Sequence, residues 1–158
     1  MISIITANKK NLPQILDIFQ EAISPSWTHD ALTYEIDKGD SYFIVAVKES
    51  DCCDVAKSTP YVVGFAVLRQ VGDDGELLQI AVKKSSRGCG VGDILMDSVL
   101  DYAAENTYKS VFLEVRCSNT AAVRLYEKHG FRSVRIRKNY YDNPIEDAMV
   151  MVMNPTID

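Results

Sequence analysis

The chain has 158 residues, 17 basic and 22 acidic side chains, a net charge of −5, and an apolar content of 47%. This is one domain's worth of ordinary globular composition, so a single domain over 1–158 is expected. The acidic balance argues against a nucleic-acid partner, no apolar run approaches the ~20 residues of a membrane span, and no leader peptide is visible, so a cytoplasmic protein without membrane contact is expected.

In chain order, Met1 to Thr6 alternates like a strand. Asn11 reads as a helix N-cap, with Leu12, Ile15, Phe19 and Ala22 recurring at helical spacing and Pro25 ending the helix. Thr28 or Asp30 caps a second helix through Ile36. Tyr42 to Val47 is a strand, Glu49 to Pro60 a surface loop, and Tyr61 to Arg69 a strand. The turn Gly72-Asp73-Asp74-Gly75 leads into a strand from Leu77 to Val82.

Arg87-Gly88-Cys89-Gly90-Val91-Gly92 then precedes a helix with Ile94, Leu95, Val99, Leu100, Tyr102 and Ala103 on one face and Asp93, Asp97 and Asp101 on the other. Ser110 to Arg116 is a strand, Ala121 to His129 a helix closed by Gly130, and Phe131 to Arg137 and Ala148 to Met153 are strands. The order β-α-α-β-β-β-α-β-α-β-β predicts an α/β fold with one mixed sheet and helices packed on it.

Cys52, Cys53, Cys89 and Cys117 show no CxxC spacing and read as reduced thiols. His29 and His129 are too few for a histidine-based metal site, so no metal is expected, and His129 at a helix end complements the dipole. The glycines from Gly88 to Gly92, between strand and helix, leave amide N–H groups aimed at one spot at the positive end of a helix. Such a turn suits a phosphate or pyrophosphate, although the same glycines serve equally as a plain tight turn. Their spacing, G-x-G-x-G, is not the dinucleotide fingerprint.

Three segments together resemble the GNAT family of acetyl-CoA-dependent N-acetyltransferases. They are Arg87 to Gly92, Leu113-Glu114-Val115-Arg116-Cys117-Ser118-Asn119, and Ala122 to Phe131. Within that family, Leu-Glu-Val-Arg-x-Ser-Asn, Tyr126 in Leu125-Tyr126-Glu127, Arg137-Lys138-Asn139-Tyr140-Tyr141, Glu146-Asp147-Ala148 and the Trp27 segment are similar to the branch that acetylates the N-terminal alanine of a small-subunit ribosomal protein.

The resemblance implies the GNAT fold and an enzyme that uses acetyl-CoA as co-substrate, with a protein N-terminus, a ribosomal protein's above all, as acceptor. It implies cofactor contacts from Ile80, Ala81 and Val82 as an open strand edge, from Arg87, Gly88, Cys89, Gly90, Val91, Gly92 and Asp93 around the turn, and from Asn119. Asp93 stands where a basic residue is common, so phosphate contact there falls to backbone amides.

Glu114 alternates with Leu113 and Val115 and is the candidate general base, against a plain solvated glutamate. Tyr126 is the candidate general acid, against a plain core tyrosine; an ordinary phenol, with a pKa of ~10, keeps its proton at neutral pH. Asn119 also suits a helix cap. Trp27, Tyr140 and Tyr141 are expected to line the acceptor groove, and Glu146 and Asp147 to be solvated. Two other readings keep the fold: transfer to a small amine such as a polyamine or antibiotic, and a non-enzymatic acetyl-CoA sensor. The latter needs the glycine turn but neither Glu114 nor Tyr126.

Overall fold

From Val62 to Leu68 every side chain is buried, at 2% exposure or less, around Gly64. An unbroken apolar run of this kind needs cover on both faces. In the computed structural model, which describes residues 1–21, 27–50 and 59–155, helices supply that cover.

The strands are β1 (Ile2–Thr6), β2 (Ser41–Lys48), β3 (Tyr61–Val71), β4 (Asp74–Val82), β5 (Val111–Arg116), β6 (Arg132–Tyr141) and β7 (Glu146–Met153). They form one sheet in the order β1-β2-β3-β4-β5-β7-β6. The described helices are α1 (Leu12–Gln20), α2 (His29–Lys38), α3 (Val91–Glu105) and α4 (Thr120–Lys128). The expected mixed α/β sheet and element order are what the chain adopts.

Phe43, Val45, Val62, Phe65 and Val67 pack with Leu12, Ile15, Ile18 and Phe19 of α1 and Leu32 of α2. Ile44, Ala46, Val63, Ala66 and Leu68 pack on the other face with Val91, Leu95, Met96, Val99 and Ala103 of α3. The strict alternation breaks at Val63, an extra residue opposite the step from Ala46 to Val47.

A second extra residue, Leu78, sits between Gln79, which pairs with Val67, and Leu77, which pairs with Leu68. Such a bulge bends its strand and ends pairing nearby. The consequence falls on the sheet's one parallel pair. β4 and β5 are in register only at Gly75↔Val111 and Glu76↔Phe112. Past Glu76 they diverge, and β5 continues alongside β7 as far as Arg116↔Ala148. A wedge therefore opens in the middle of the sheet.

Several boundaries differ from the sequence expectation. A short 3-10 turn at Lys9–Asn11 precedes α1, so the cap is Asn8, whose Oδ1 accepts from Lys10 N at 2.9 Å. Asn11 makes no cap to α1; its Oδ1 accepts from Asn8 N at 2.9 Å. Thr28, not Asp30, caps α2 through Ala31 N, and the helix runs to Lys38 before Gly39. On α3 the buried stripe includes Met96, whereas Ile94 is 37% exposed. β6 extends four residues past Arg137 to Tyr141. Ala22, Pro25, Cys52 and Cys53 lie outside the described residues.

Candidate active site

Each strand flanking the wedge feeds a helix. β4 runs through the glycine turn into α3, and β5 runs through Cys117, Ser118 and Asn119 into α4. The strands are parallel, so both helix N-termini lie at the end where the wedge opens. That is the usual place for a ligand in an open α/β sheet.

The glycine turn is uncluttered. Gly88 and Gly90 have φ of +75° and +80°, and a Cβ on either would meet nothing within 4 Å. Gly90 stands at the N-cap of α3 with no side-chain cap, so the first amides of the helix are left for a ligand. The fit to a pyrophosphate is good. Arg87 folds back, its Nε donating to Val82 O at 3.1 Å, and Cys89 is exposed. Val91 sends its side chain into the core, 1% exposed, so only its backbone is available to the turn.

Gly92 plays a different part from its neighbours. A Cβ there would meet Leu125 Cδ2 at 3.3 Å and Val82 Cγ2 at 3.9 Å. Its lack of a side chain brings α3 close to α4. Asp93 is turned away from the turn, its Oδ1 accepting from Lys128 Nζ at 2.7 Å. His129 Nδ1 bonds the Leu125 carbonyl at 2.9 Å, and its Nε2 lies 3.2 Å from Asp97 and 3.7 Å from Asp93. His129 therefore ties the end of α4 to α3.

Along β4, Ile80, Ala81 and Val82 pair with Ala66, Phe65 and Gly64 on one side only. Their other edge faces the wedge. Asn119 caps α4, its Oδ1 accepting from Ala122 N at 3.2 Å.

Leu113, Val115 and Tyr126 share the α3-side core. Glu114, alternating with the first two, faces the opposite side of the sheet. Its Oε1 accepts from Arg137 Nη1 at 2.5 Å. Interaction with the Glu114 carboxylate, ahead of burial, holds the Tyr140 phenol above its ordinary range. Tyr141 stands edge-on to Tyr140, ring centres 5.0 Å apart, and burial, followed by the charge of Glu114, pushes its phenol up to about 12. Tyr126 is 7% exposed and packs against Phe131. Burial drives its phenol far up, with Tyr141 as the second cause. Tyr141 thus stands electrostatically between Glu114 and Tyr126.

Trp27 is partly buried and stacks on Phe19 at 6.3 Å on the α1 side of the sheet, the side that Glu114 faces. One expectation needs correction. Glu146 is not simply solvated: it accepts from Ser118 N at 3.0 Å, from Ser118 Oγ at 2.9 Å and from Arg116. The Ser118 hydroxyl foremost holds its carboxyl below the usual range. Asp147 accepts from Asn139 N at 2.9 Å.

Sequence reasoning assigned no role to Arg116 or Arg137. Arg116 donates to Asp142 O and Pro144 O, both at 3.0 Å, and lies 4.4 Å from the Tyr141 ring centre, so it holds the β6–β7 turn. The available signal was position, since each follows its strand's apolar pattern on the face of Glu114. No group of three His, Cys, Asp or Glu suited to a metal occurs among the described residues. None of the described helices is long and apolar enough to cross a membrane.

The sequence model of the acetyltransferase (GNAT) family matches residues 12–131. The [ribosomal protein bS18]-alanine N-acetyltransferase of Haemophilus influenzae is 33% identical over 87% of this chain and 88% of its own length. The Escherichia coli enzyme of the same name is 29% identical over 97% of both. The crystal structure of the ribosomal-protein-S18-alanine N-acetyltransferase from Escherichia coli superposes with a TM-score of 0.82, covering 100% of this chain and 96% of that one at 27% identity. Ard1 from Thermoplasma volcanium gives 0.83 at 28% identity over 99% of both chains. NAA60 of Arabidopsis thaliana, solved with acetyl-CoA, shares the fold at 0.82 and 19% identity, over 98% of both chains.

Proposed function

Given that the chain belongs to the acetyltransferase (GNAT) family, we propose that its acceptor is the α-amine of an N-terminal alanine on a small-subunit ribosomal protein, with Glu114 as general base and Tyr126 as general acid. The chain is an acetyl-CoA-dependent N-acetyltransferase. Bound acetyl-CoA supplies an acetyl group activated as a thioester. The amides of Gly88 to Gly92 and the first turn of α3 hold its pyrophosphate, and the open edge of Ile80, Ala81 and Val82 takes the pantetheine amides.

The observation that carries the reading is that β5, which borders the wedge, turns Glu114 to one face, while Tyr126 packs on the other with Leu113 and Val115. Glu114 takes the proton that the acceptor amine must lose as its nitrogen bonds the acetyl carbon, directly or through one water. Tyr126 gives its proton to the sulfur as the carbon–sulfur bond breaks. Burial keeps the Tyr126 phenol protonated, so it meets the departing sulfur as a hydrogen-bond donor, and the proton passes only as the carbon–sulfur bond breaks. Tyr140 and Tyr141 narrow the approach to Glu114, which favours a small first side chain.

An α-amine also suits a carboxylate base better than a lysine side chain does. Its pKa of ~7.7–8.0 leaves a sizeable neutral fraction near neutral pH, whereas lysine at ~10.4 leaves almost none. The naming of the two bacterial relatives above for bS18-alanine supports the choice of protein. The test is fragment mapping by mass spectrometry of peptides that differ only at residue one, each with an internal lysine, alongside a free polyamine. Fastest acetylation at the α-amine of the alanine peptide is expected. Faster acetylation of lysine, or of the polyamine than of every peptide, would overturn the acceptor assignment.

A further inference from the structure

Glu114 already carries a cation. The Arg137 guanidinium meets Glu114 Oε1 at 2.5 Å, and its carbon lies 4.5 Å from the Tyr140 ring centre. The side chains are 43% exposed for Arg137 and 22% for Glu114. Arg137 stands on β6, the edge strand of the sheet, and no carboxylate but Glu114 holds it among the described residues. Arg116 on the same face is a contrast: its side chain is 10% exposed and fixed to two backbone carbonyls and Glu146. One guanidinium is built in, and the other is held, among the described residues, by Glu114 and the face of Tyr140.

We propose that Arg137 is a placeholder for the acceptor's α-ammonium, occupying Glu114 until a cationic amine terminus displaces it, and that this exchange sets the site's preference for such termini. The proposal rests on Glu114 being the group that receives the amine. A carboxylate on a half-open face is better stabilised with a cation beside it, so the free enzyme keeps one there. A partly exposed ion pair contributes little, which makes the exchange easy. The long apolar stem of arginine lets the head swing into solvent without unpacking the strand.

Steady-state kinetics on the full chain with an alanine-terminated peptide test this. Arg137→Met should lower the peptide KM about two- to five-fold, the size of a weak competing ion pair, while kcat stays within about twofold. Arg137→Lys keeps a cation and should stay near wild type. A KM that is unchanged or higher in Arg137→Met, or a collapse of kcat, would show instead that Arg137 orients Glu114. Glu114→Gln, measured in parallel with acetyl-CoA binding by calorimetry, separates the two ideas. Lost turnover with cofactor binding kept leaves the base assignment standing whatever Arg137 does. Wild-type turnover in Glu114→Gln removes both.

Discussion

Tyr126 and Glu114, the proposed acid and base, differ in what surrounds them. A phenol enclosed by Phe131 and the α3-side core holds its proton, whereas the Glu114 carboxylate is paired with Arg137. Glu114→Gln and Tyr126→Phe should each lower kcat by roughly 10²-fold or more, the usual scale for an acid–base group, with acetyl-CoA affinity little changed. Wild-type turnover in both would make these residues structural.

The same burial gives an alkaline prediction. Tyr126 and Tyr141 are raised in the folded state, Tyr141 to about 12, so the unfolded chain loses these protons first. Their stabilisation is complete below the ordinary phenol pKa of ~10 and is lost as pH rises through the folded values. The urea midpoint should therefore fall as pH rises from about 10 to about 12 at fixed ionic strength, and that of Tyr141→Phe should fall less steeply. An equal slope in the variant would contradict the assignment.

At the scale of elements, the turn between β5 and α4 is the best-anchored piece of the site. Asn119 caps the helix, and Glu146 holds Ser118 and Arg116 from the neighbouring hairpin. Asn119→Ala should cost about 1 kcal/mol of stability, the usual value of an N-cap, measured by chemical denaturation. Asn119→Asp restores the cap oxygen, so a fall in acetyl-CoA affinity in that variant would reveal a cofactor contact from the amide nitrogen. The glycine turn answers to a separate change. Gly90→Ala meets no atom but forces a side chain into a left-handed conformation, at about 1–2 kcal/mol. It should weaken acetyl-CoA binding through the lost turn geometry, which calorimetry would register.

These elements also show what the sequence made legible. The glycine turn, the strand bearing Glu114 and the cap at Asn119 were readable because each depends on neighbours within a few residues. The wedge was not, because it arises from Leu78, an ordinary leucine whose extra place in β4 exists only relative to Leu77↔Leu68 and Gln79↔Val67. The packing of Trp27 was not legible for a similar reason. Its partner Phe19 comes from the preceding helix, and an aromatic residue near a site reads the same in sequence whether it faces substrate or core. The link from Glu114 to Arg137 spans 23 positions and crosses β7 to reach the sheet edge, so no local pattern announces it.

For the whole molecule, the parted strands leave backbone groups of β4 and β5 without strand partners on the sides that face each other. Occupation of that opening should stabilise the fold by mass action. Acetyl-CoA at 100 times its Kd should add about 2.7 kcal/mol, seen as a rise in Tm. Gly90→Ala should show a smaller rise at the same concentration.

If, as proposed, Glu114 receives the acceptor on one face while acetyl-CoA lies in the wedge, neither has to leave for the other to enter. Both substrates are then held at once, and the acetyl group has no need to rest on the protein in between. Initial rates measured over a grid of the two concentrations should give intersecting double-reciprocal lines, the pattern of a ternary complex. Parallel lines, together with a mass gain on enzyme incubated with acetyl-CoA alone, would mean that an acyl-enzyme carries the group and that the two-sided opening serves some other end.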